Sequence, residues 1–208
     1  MKRLLIVVSV ICLLAMPLIA QGGKEGTAAA AKRYSIGTSS SGGNFYLIGG
    51  GLATVLNNKL PGRFVFTSEE TGGSTANLAM IEAVEAEVGF AMTSALYEGI
   101  TGTGTWNKGK PMKKVLGLIP LYPSYMTMYT LANSSIRTLS DYNGKIVGLG
   151  SKGAAMDSVL RAAFDKMGLR PASIFNDGHG ATATAGSQGQ VDVAVLFSYP
   201  PFAAITEL

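Results

Sequence analysis

The chain has 208 residues, of which 47% are hydrophobic, 14% are charged and 27 are glycine. Its formal net charge of +4 is too small and too dispersed for a nucleic-acid-binding surface. Low charge together with many glycines and apolar residues is instead typical of an α/β protein with buried parallel strands, and the length allows one large domain or two small ones.

The first twenty residues have the pattern of an export signal. Lys2 and Arg3 form a basic start, Leu4–Leu14 is apolar, and a cleavage site follows at Ala20. A membrane anchor is the alternative, but the apolar run is near the lower length limit for a span. We therefore predict a signal peptide at 1–20 and a location in the periplasm or on another extracytoplasmic face.

The segment behind the signal has no residues that would pack into a core. Residues 21–32 are predicted to form a flexible tether, and without Lys2 and Arg3 the chain keeps 15 basic residues against 13 acidic ones. The single cysteine, Cys12, lies within the signal. An ordinary signal residue is favoured there over a lipid-attachment site, because the preceding residues fit a lipobox poorly. The processed chain is then expected to have no disulfide.

Apolar runs and helical patterns alternate along the rest of the chain. Strands are predicted near 34–37, 63–67, 87–92, 115–121, 125–131, 145–149, 173–176 and 192–197. Helices are predicted at 44–58, 74–84, 94–99, 138–142, 154–167 and 181–187. This alternation predicts an α/β fold of mainly parallel sheets flanked by helices, which we divide into lobe 1 at 33–131 and lobe 2 at 132–208.

Three of these strand–helix units are joined by a loop rich in glycine and serine or threonine, at 37–43, 67–74 and 150–153. Each loop places free backbone N–H groups at a helix N-terminus, which is a good geometry for holding an anion. The first helix also contains Gly49–Gly51, which lowers its helix propensity and predicts close packing against a sheet. The repeated design favours a binding cleft over a catalytic centre.

Two of the loops are similar to nucleotide-binding motifs. Gly148–Gly153 is a literal G-x-G-x-x-G between a predicted strand and helix, with Asp177 about one unit later. Because a lone match in a glycine-rich, exported chain is a weak signal, a dinucleotide-binding enzyme is the less favoured alternative. Gly37–Gly43 resembles the start of a P-loop but lacks its lysine, which argues against ATP hydrolysis.

Titratable residues give no catalytic arrangement. His179, the single histidine, is a candidate general base or metal ligand. No second histidine and no cysteine of the processed chain can join it, so a solvated loop histidine is favoured. Glu69 and Glu70 are adjacent strand residues that point to opposite faces, so they cannot flank one bond. The sequence therefore predicts no catalytic residue, no metal site and no cofactor.

Polar side chains cluster where the predicted strands end, at Ser39, Ser40, Ser41, Asn44, Thr71, Ser74, Thr93, Ser94, Ser151 and Ser198. Aromatic side chains follow nearby, at Phe45, Tyr46, Tyr122 and Tyr199. Each polar residue alone is also explained as a helix cap. In open α/β sheets, however, the carboxyl edge of the strands is where ligands bind, so the cluster predicts a ligand cleft.

The cleft is expected to hold a carboxylate on the N–H groups that follow Gly43 and Gly73. Lys152 of the second lobe is a candidate counter-charge, but a solvent-exposed lysine is favoured there. The predicted ligand-binding residues are Ser41, Gly43, Asn44, Phe45, Tyr46, Thr71, Gly72, Gly73, Ser74, Thr93, Ser94, Tyr122, Ser151, Lys152, Gly153, Ala154, Ser198 and Tyr199.

Several of these segments carry a family resemblance. Residues 36–38, 42–46 and 70–74, with Asn77 and Leu78, resemble the solute-binding proteins of the TAXI type, the TRAP-associated extracytoplasmic immunogenic proteins. Further similar segments lie at 121–123, 136–147 and 189–193. The resemblance covers Tyr34–Leu208.

This resemblance implies a type II periplasmic-binding-protein fold, in which two lobes close over a small ligand. The implied ligand is a small organic anion, such as glutamate or another amino acid, or a dicarboxylate, and the implied partners are the membrane subunits of a TRAP transporter. An ABC-type binding protein and a sensor ectodomain of the same fold are the alternatives. The resemblance also implies a longer second lobe that returns to the first, so we expect a C-terminally truncated chain.

Overall fold

The computed structural model describes residues 31–206, so the predicted export signal and nearly all of the predicted tether lie outside the described residues. Its strands are β1 Lys32–Gly37, β2 Phe64–Glu69, β3 Val88–Gly89, β4 Tyr125–Tyr129, β5 Ile146–Gly148, β6 Ser173–Phe175 and β7 Val193–Ser198. Its helices are α1 Asn44–Lys59, α2 Ser74–Ala83, α3 Thr93–Thr101, α4 Ala155–Met167, α5 His179–Ser187 and α6 Ala203–Thr206, with a 3₁₀ helix at Leu139–Tyr142.

The first sheet has the strand order β2-β1-β3 and is parallel throughout. Parallel neighbours need a crossover, and α1 and α2 supply the two crossovers between these strands. Its core contains Ile36 of β1, Ala53 of α1 and Phe90 just after β3, all buried. The carboxyl ends of the three strands therefore meet at one edge of this sheet.

The second sheet has the order β4-β7-β5-β6. β5 is parallel to both β6 and β7, whereas β4 is antiparallel to β7. Val147 and Val195 are fully buried in its core and are packed with Leu160 and Phe164, which lie one helical turn apart on α4. The apolar stripe of α4 thus fixes the helix on the sheet.

The predicted fold class is confirmed: both sheets are mainly parallel and are flanked by helices. Each predicted helix is found within a few residues of its predicted bounds. β4 pairs with β7 and so belongs to the second sheet, although the division of the sequence at 131/132 put its residues in lobe 1. That division stays a prediction, and the chain passes from the first sheet to the second before Tyr125.

The predicted strand at 115–121 is wrong. Its residues form neither helix nor strand, and none of the backbone hydrogen bonds found for residues 31–206 involves them. Val115 is buried beside Leu78 and Ala95, but Leu116 and Leu118 are each 86% exposed. The apolar run has the composition of a strand, but a strand also needs a neighbour to pair with, and none of the described strands runs alongside it.

Residues 31–206 contain neither a membrane-spanning helix nor a cluster of metal-binding side chains. None of the helices described there is long and apolar enough to span a membrane. In the same part of the chain, no group of three or more histidine, aspartate or glutamate side chains is arranged to hold a metal ion.

Candidate ligand-binding cleft

A cleft of about 470 Å³, measured out to its open mouth, lies between the loops of the two sheets. Its lining comes from both lobes and consists of Ser39, Gly43, Asn44, Phe45, Gly72, Gly73, Ser74, Met92, Tyr122, Ser124, Ala154, Ala155, Met156, His179 and Phe197. In parallel α/β sheets the loops at the carboxyl ends of strands form the binding edge, so the cleft has the position expected of a ligand site.

Four helices begin at the wall of this cleft. The first residues of α1, α2, α4 and α5 are Asn44, Ser74, Ala155 and His179, and all four line it. The first N–H groups of a helix have no acceptor within that helix, and the helix dipole makes this end positive. Two of the helices follow strands of the first sheet and two follow strands of the second, so both lobes present positive helix ends to the same space.

In the first lobe, one fully buried side chain holds the three strand ends together. The amide of Asn77 donates to the carbonyl oxygens of Thr38 and Phe90, at 2.7 Å each, and its Oδ1 accepts the hydroxyl of Thr71 at 2.6 Å. Thr38, Thr71 and Phe90 follow β1, β2 and β3 respectively. Asn77 therefore positions the loops from which the cleft wall is built.

The serines of this wall are mostly used within the loops themselves. Ser39 Oγ accepts the backbone N–H of Tyr46 at 3.2 Å, and Ser74 Oγ accepts that of Met92 at 3.0 Å. Gly73, just before α2, has φ 97°, in the left-handed region that favours glycine. The loops are thereby held in shape. Among residues 31–206, no acceptor is found for the first N–H groups of α1, α2 and α4, whereas the first two of α5 already donate to Ser40 and Ser41.

Hydrogen bonds cross from one lobe to the other beside the cleft. Ser40 Oγ accepts the backbone N–H of His179 at 3.0 Å and lies 3.0 Å from His179 Nδ1. Asn44 Nδ2 donates to the carbonyl of Tyr199 at 2.6 Å, and Thr75 Oγ1 donates to that of Gly153 at 2.9 Å. The two lobes are thus joined by hydrogen bonds from three separate positions of the first lobe.

The interpretation of His179 as a solvated loop residue is wrong. It begins α5, lines the cleft and packs its ring against Ser40 of the other lobe. Burial disfavours the charged imidazolium and lowers the pKa of His179 below its ordinary value of 6.5. Because Ser40 Oγ already accepts the His179 N–H, its own proton is free to be donated to an unprotonated Nδ1.

Aromatic and thioether side chains form the rest of the wall. The ring centroid of Phe45 lies 5.4 Å from that of Phe90 and 6.3 Å from that of Tyr122, which in turn lies 6.0 Å from Tyr199. The Tyr122 hydroxyl is buried and has no hydrogen-bond partner among the described residues. Burial raises the pKa of Tyr122 to about 12, so the phenol keeps its proton.

Eight of the eighteen predicted ligand-binding residues line the cleft, namely Gly43, Asn44, Phe45, Gly72, Gly73, Ser74, Tyr122 and Ala154. Nine others do not line it: Ser41, Tyr46, Thr71, Thr93, Ser94, Ser151, Lys152, Gly153 and Tyr199. The side chain of Ser198 lies outside the described part of the chain. The Thr71 hydroxyl donates within the first lobe, and Lys152 is exposed to solvent. A binding role for any of the eighteen stays a prediction.

Other lining residues were not in the predicted set, namely Ser39, Met92, Ser124, Ala155, Met156, His179 and Phe197. Ala155 and Met156 follow directly on Ala154, so a rule that counts the whole first helical turn as binding surface would have found them. Met92 and Phe197 are apolar, and the sequence search favoured polar residues. His179 was interpreted as a solvated loop residue because the sequence gave it neither metal-ligating neighbours nor a catalytic arrangement.

The family follows from a match along nearly all of the described chain. Residues 36–208 match the model of the NMT1-like family. The chain belongs to the NMT1-like family. This is a coarser assignment than the TAXI resemblance, which the match does not specify.

Solved structures similar to this NMT1-like protein include small-molecule-binding proteins and a protein assigned to ABC transport. A protein of Listeria monocytogenes assigned to L-cystine ABC transport is 18% identical, with a TM-score of 0.56, over 80% of this chain and 70% of that one. An ancestral arginine-binding protein bound to arginine is 17% identical, with a TM-score of 0.52, over 81% and 71% of the two chains. The alkanesulfonate-binding protein SsuA of Xanthomonas axonopodis pv. citri, bound to MOPS, is 18% identical, with a TM-score of 0.50, over 81% and 55%.

These similarities establish that the NMT1-like chain has the two-lobed α/β fold of the periplasmic solute-binding proteins. The chain spans 55–71% of the lengths of these three proteins. In this fold, the G-x-G-x-x-G segment forms the end of β5 and the loop that leads to α4. Asp177, which the dinucleotide hypothesis assigned to a ribose, accepts the backbone N–H of Gly178 at 2.6 Å.

Proposed function

We propose that this protein is an extracytoplasmic solute-binding receptor of a transporter and captures a small organic anion by closure of its two lobes. One observation carries the proposal: helix N-termini from both lobes converge on a single cleft. An oxyanion between them would accept hydrogen bonds from each side, which favours the closed state over the open one. No covalent chemistry is required.

For the transporter class, an ABC-type system is the better supported of the two candidates. The similar structures include a protein assigned to ABC transport, whereas a TRAP system is supported only by the resemblance of short segments to TAXI-type proteins. The gene neighbourhood distinguishes the two. Adjacent genes for TRAP membrane subunits would contradict the ABC assignment, and adjacent genes for an ABC permease and ATPase would support it.

The anion-binding role is tested by removing one N–H group without disturbing its helix. Ala155 is the first residue of α4, and no acceptor for its N–H is found among residues 31–206. Proline is tolerated at this position of a helix, and the preceding Ala154 has φ −63° and ψ 157°, which is compatible with a following proline. Ala155→Pro should therefore keep the fold and lose one donor. Ala155→Val, which is similar in volume and keeps the N–H, is the matched control.

We expect isothermal titration calorimetry to detect binding of small carboxylates or sulfonates, but not of the uncharged amides of the same carbon skeletons. Ala155→Pro should weaken that binding by about tenfold or more, because a hydrogen bond to a charged group contributes about 1.5–3 kcal/mol. Ala155→Val should bind more tightly than Ala155→Pro. Equal binding of acids and amides would contradict an anion site, and equal affinities of the two variants would remove α4 from it.

A further inference from the structure

Much of the side-chain wall of the cleft is apolar, so the cleft can contact more of a ligand than its anionic group. Phe45, Met92, Tyr122, Met156 and Phe197 line it, and Met156 is almost fully buried. Burying apolar surface against such a wall is favourable, whereas burying a charge there is costly unless the charge is paired. The wall therefore suits the uncharged part of a ligand.

Acidic groups next to the cleft are already engaged. Asp157, buried in the first turn of α4, accepts the Nε–H of Arg161 at 2.8 Å and the backbone N–H of Gly153 at 3.0 Å. Glu70 accepts the backbone N–H of Ser41 at 2.9 Å. No aspartate, glutamate, lysine or arginine is among the described residues that line the cleft. An ammonium group or a second carboxylate of a ligand would thus be desolvated against apolar and neutral groups.

One buried donor adds a specific requirement. The Tyr122 hydroxyl has no partner among residues 31–206, and it is held protonated beside the Phe45 ring. A buried phenol normally finds an acceptor. The hydroxyl oxygen itself has no exposed surface, so an oxyanion in the cleft that Tyr122 lines would supply this acceptor after a small rotation of the phenol.

We propose that the cleft selects an organic monoanion, with a carboxylate or sulfonate head on an uncharged apolar body, over zwitterionic amino acids and dicarboxylates of similar length. This inference rests on the proposed anion-binding function and narrows it. The helix N-termini bind the oxyanion, Tyr122 donates to it, and the aromatic and methionine side chains cover the body.

The test is calorimetric titration of the 208-residue protein with matched probes. Hexanoate, hexane-1-sulfonate and 3-phenylpropanoate should bind. Norleucine, phenylalanine and adipate, which add an ammonium group or a second carboxylate, should bind at least about tenfold more weakly. A preference between hexanoate and hexane-1-sulfonate identifies the head group. If norleucine, phenylalanine or adipate binds as tightly as its monoanionic counterpart, the inference falls but the anion-binding function stands. If none of the six probes binds, both fall.

Tyr122→Phe tests the buried donor. It should weaken hexanoate binding several-fold while leaving the thermal midpoint of the ligand-free protein unchanged or higher, because a buried hydroxyl without a partner destabilises the fold. Tyr97→Phe, at an exposed position on α3, is the control and should change neither quantity. A lowered midpoint with unchanged affinity would make Tyr122 a structural residue and remove it from the site.

Discussion

At the scale of single residues, the buried amide of Asn77 is the group that holds together the first lobe's loops at the cleft. It bonds to the loops that follow all three strands of the first sheet, and no water-exposed surface is left on it. The sequence does not predict this role, because an asparagine inside a helix is usually a polar surface residue. Only the packing of α2 against the sheet turns its side chain towards three strand ends.

Replacement of Asn77 should be costly. Asn77→Ala removes three buried hydrogen bonds and leaves the Phe90 carbonyl without a donor, while the Thr71 hydroxyl still donates to the Thr38 carbonyl. We therefore expect the free energy of unfolding to fall by about 3 kcal/mol. Urea denaturation measures this. Asn58→Ala, at an exposed position on α1, should change it by less than about 0.5 kcal/mol. Similar values for the two variants would mean that the Asn77 bonds contribute little.

At the scale of secondary-structure elements, α1 shows how far a sequence pattern can be interpreted. The run Gly49–Gly51 predicted close packing, and this is confirmed for Gly49 alone. A Cβ on Gly49 would collide with Cγ2 of Thr38 and would lie 3.3 Å from Cε2 of Phe90. A Cβ on Gly50 or Gly51 would meet nothing within 4 Å. The three consecutive glycines therefore have different roles, because only Gly49 faces the sheet.

This difference predicts opposite effects of the same substitution. Gly51→Ala should raise the free energy of unfolding by about 0.5–1 kcal/mol, because alanine favours the helix and no neighbour is displaced. Gly49→Ala should lower it by about 1–3 kcal/mol through overpacking against Thr38. Thermal or urea unfolding of the two variants measures both effects. A change of the same sign in both would contradict this account of α1.

At the scale of the whole molecule, the contact between the lobes joins residues that no local pattern connects. Ser40 and His179 are 139 positions apart in the chain, yet they make two polar contacts beside the cleft. The contact suits a neutral imidazole, whose unprotonated Nδ1 can accept the Ser40 proton. The contact between the lobes and the protonation state of His179 are thereby linked.

The linkage predicts a pH dependence of stability. Burial holds the pKa of His179 in the folded protein below its ordinary value of 6.5. Above pH 6.5 the imidazole is mostly neutral in both the folded and the unfolded protein, and its contribution to the stability of the folded protein is complete. As the pH falls below that value the unfolded chain takes up the proton first, so stability decreases until the pH passes the lowered pKa. Thermal midpoints from pH 7.5 to 5.5 should fall for the native protein.

His179→Gln isolates this effect, because His179 is the single histidine of the chain and carboxylates have ordinary pKa values near 4. The variant should show a flatter dependence of the thermal midpoint on pH over the same range. An equal slope in both proteins would assign the dependence to other groups.

The candidate site was predicted in part. Residues at or next to a helix start, such as Gly43, Asn44, Gly73, Ser74 and Ala154, were found because glycine, serine and asparagine mark the ends of strands and the starts of helices. Polar residues one or two positions away were included by the same rule, although their side chains are used in loops or exposed. The apolar half of the wall was largely missed, because a methionine or phenylalanine in a sequence looks the same in a core as in a cleft.

The sequence itself determined the order of strands and helices, the α/β class and the helix N-termini that present N–H groups to the cleft. Each of these depends on residues close together in the chain. The tertiary structure decided three other matters. It put β4 into the second sheet, left the apolar run at 115–121 without a strand partner, and set His179 against Ser40. Each of these depends on which distant segments come together, and hydrophobic periodicity records which face of an element is buried but not what covers it.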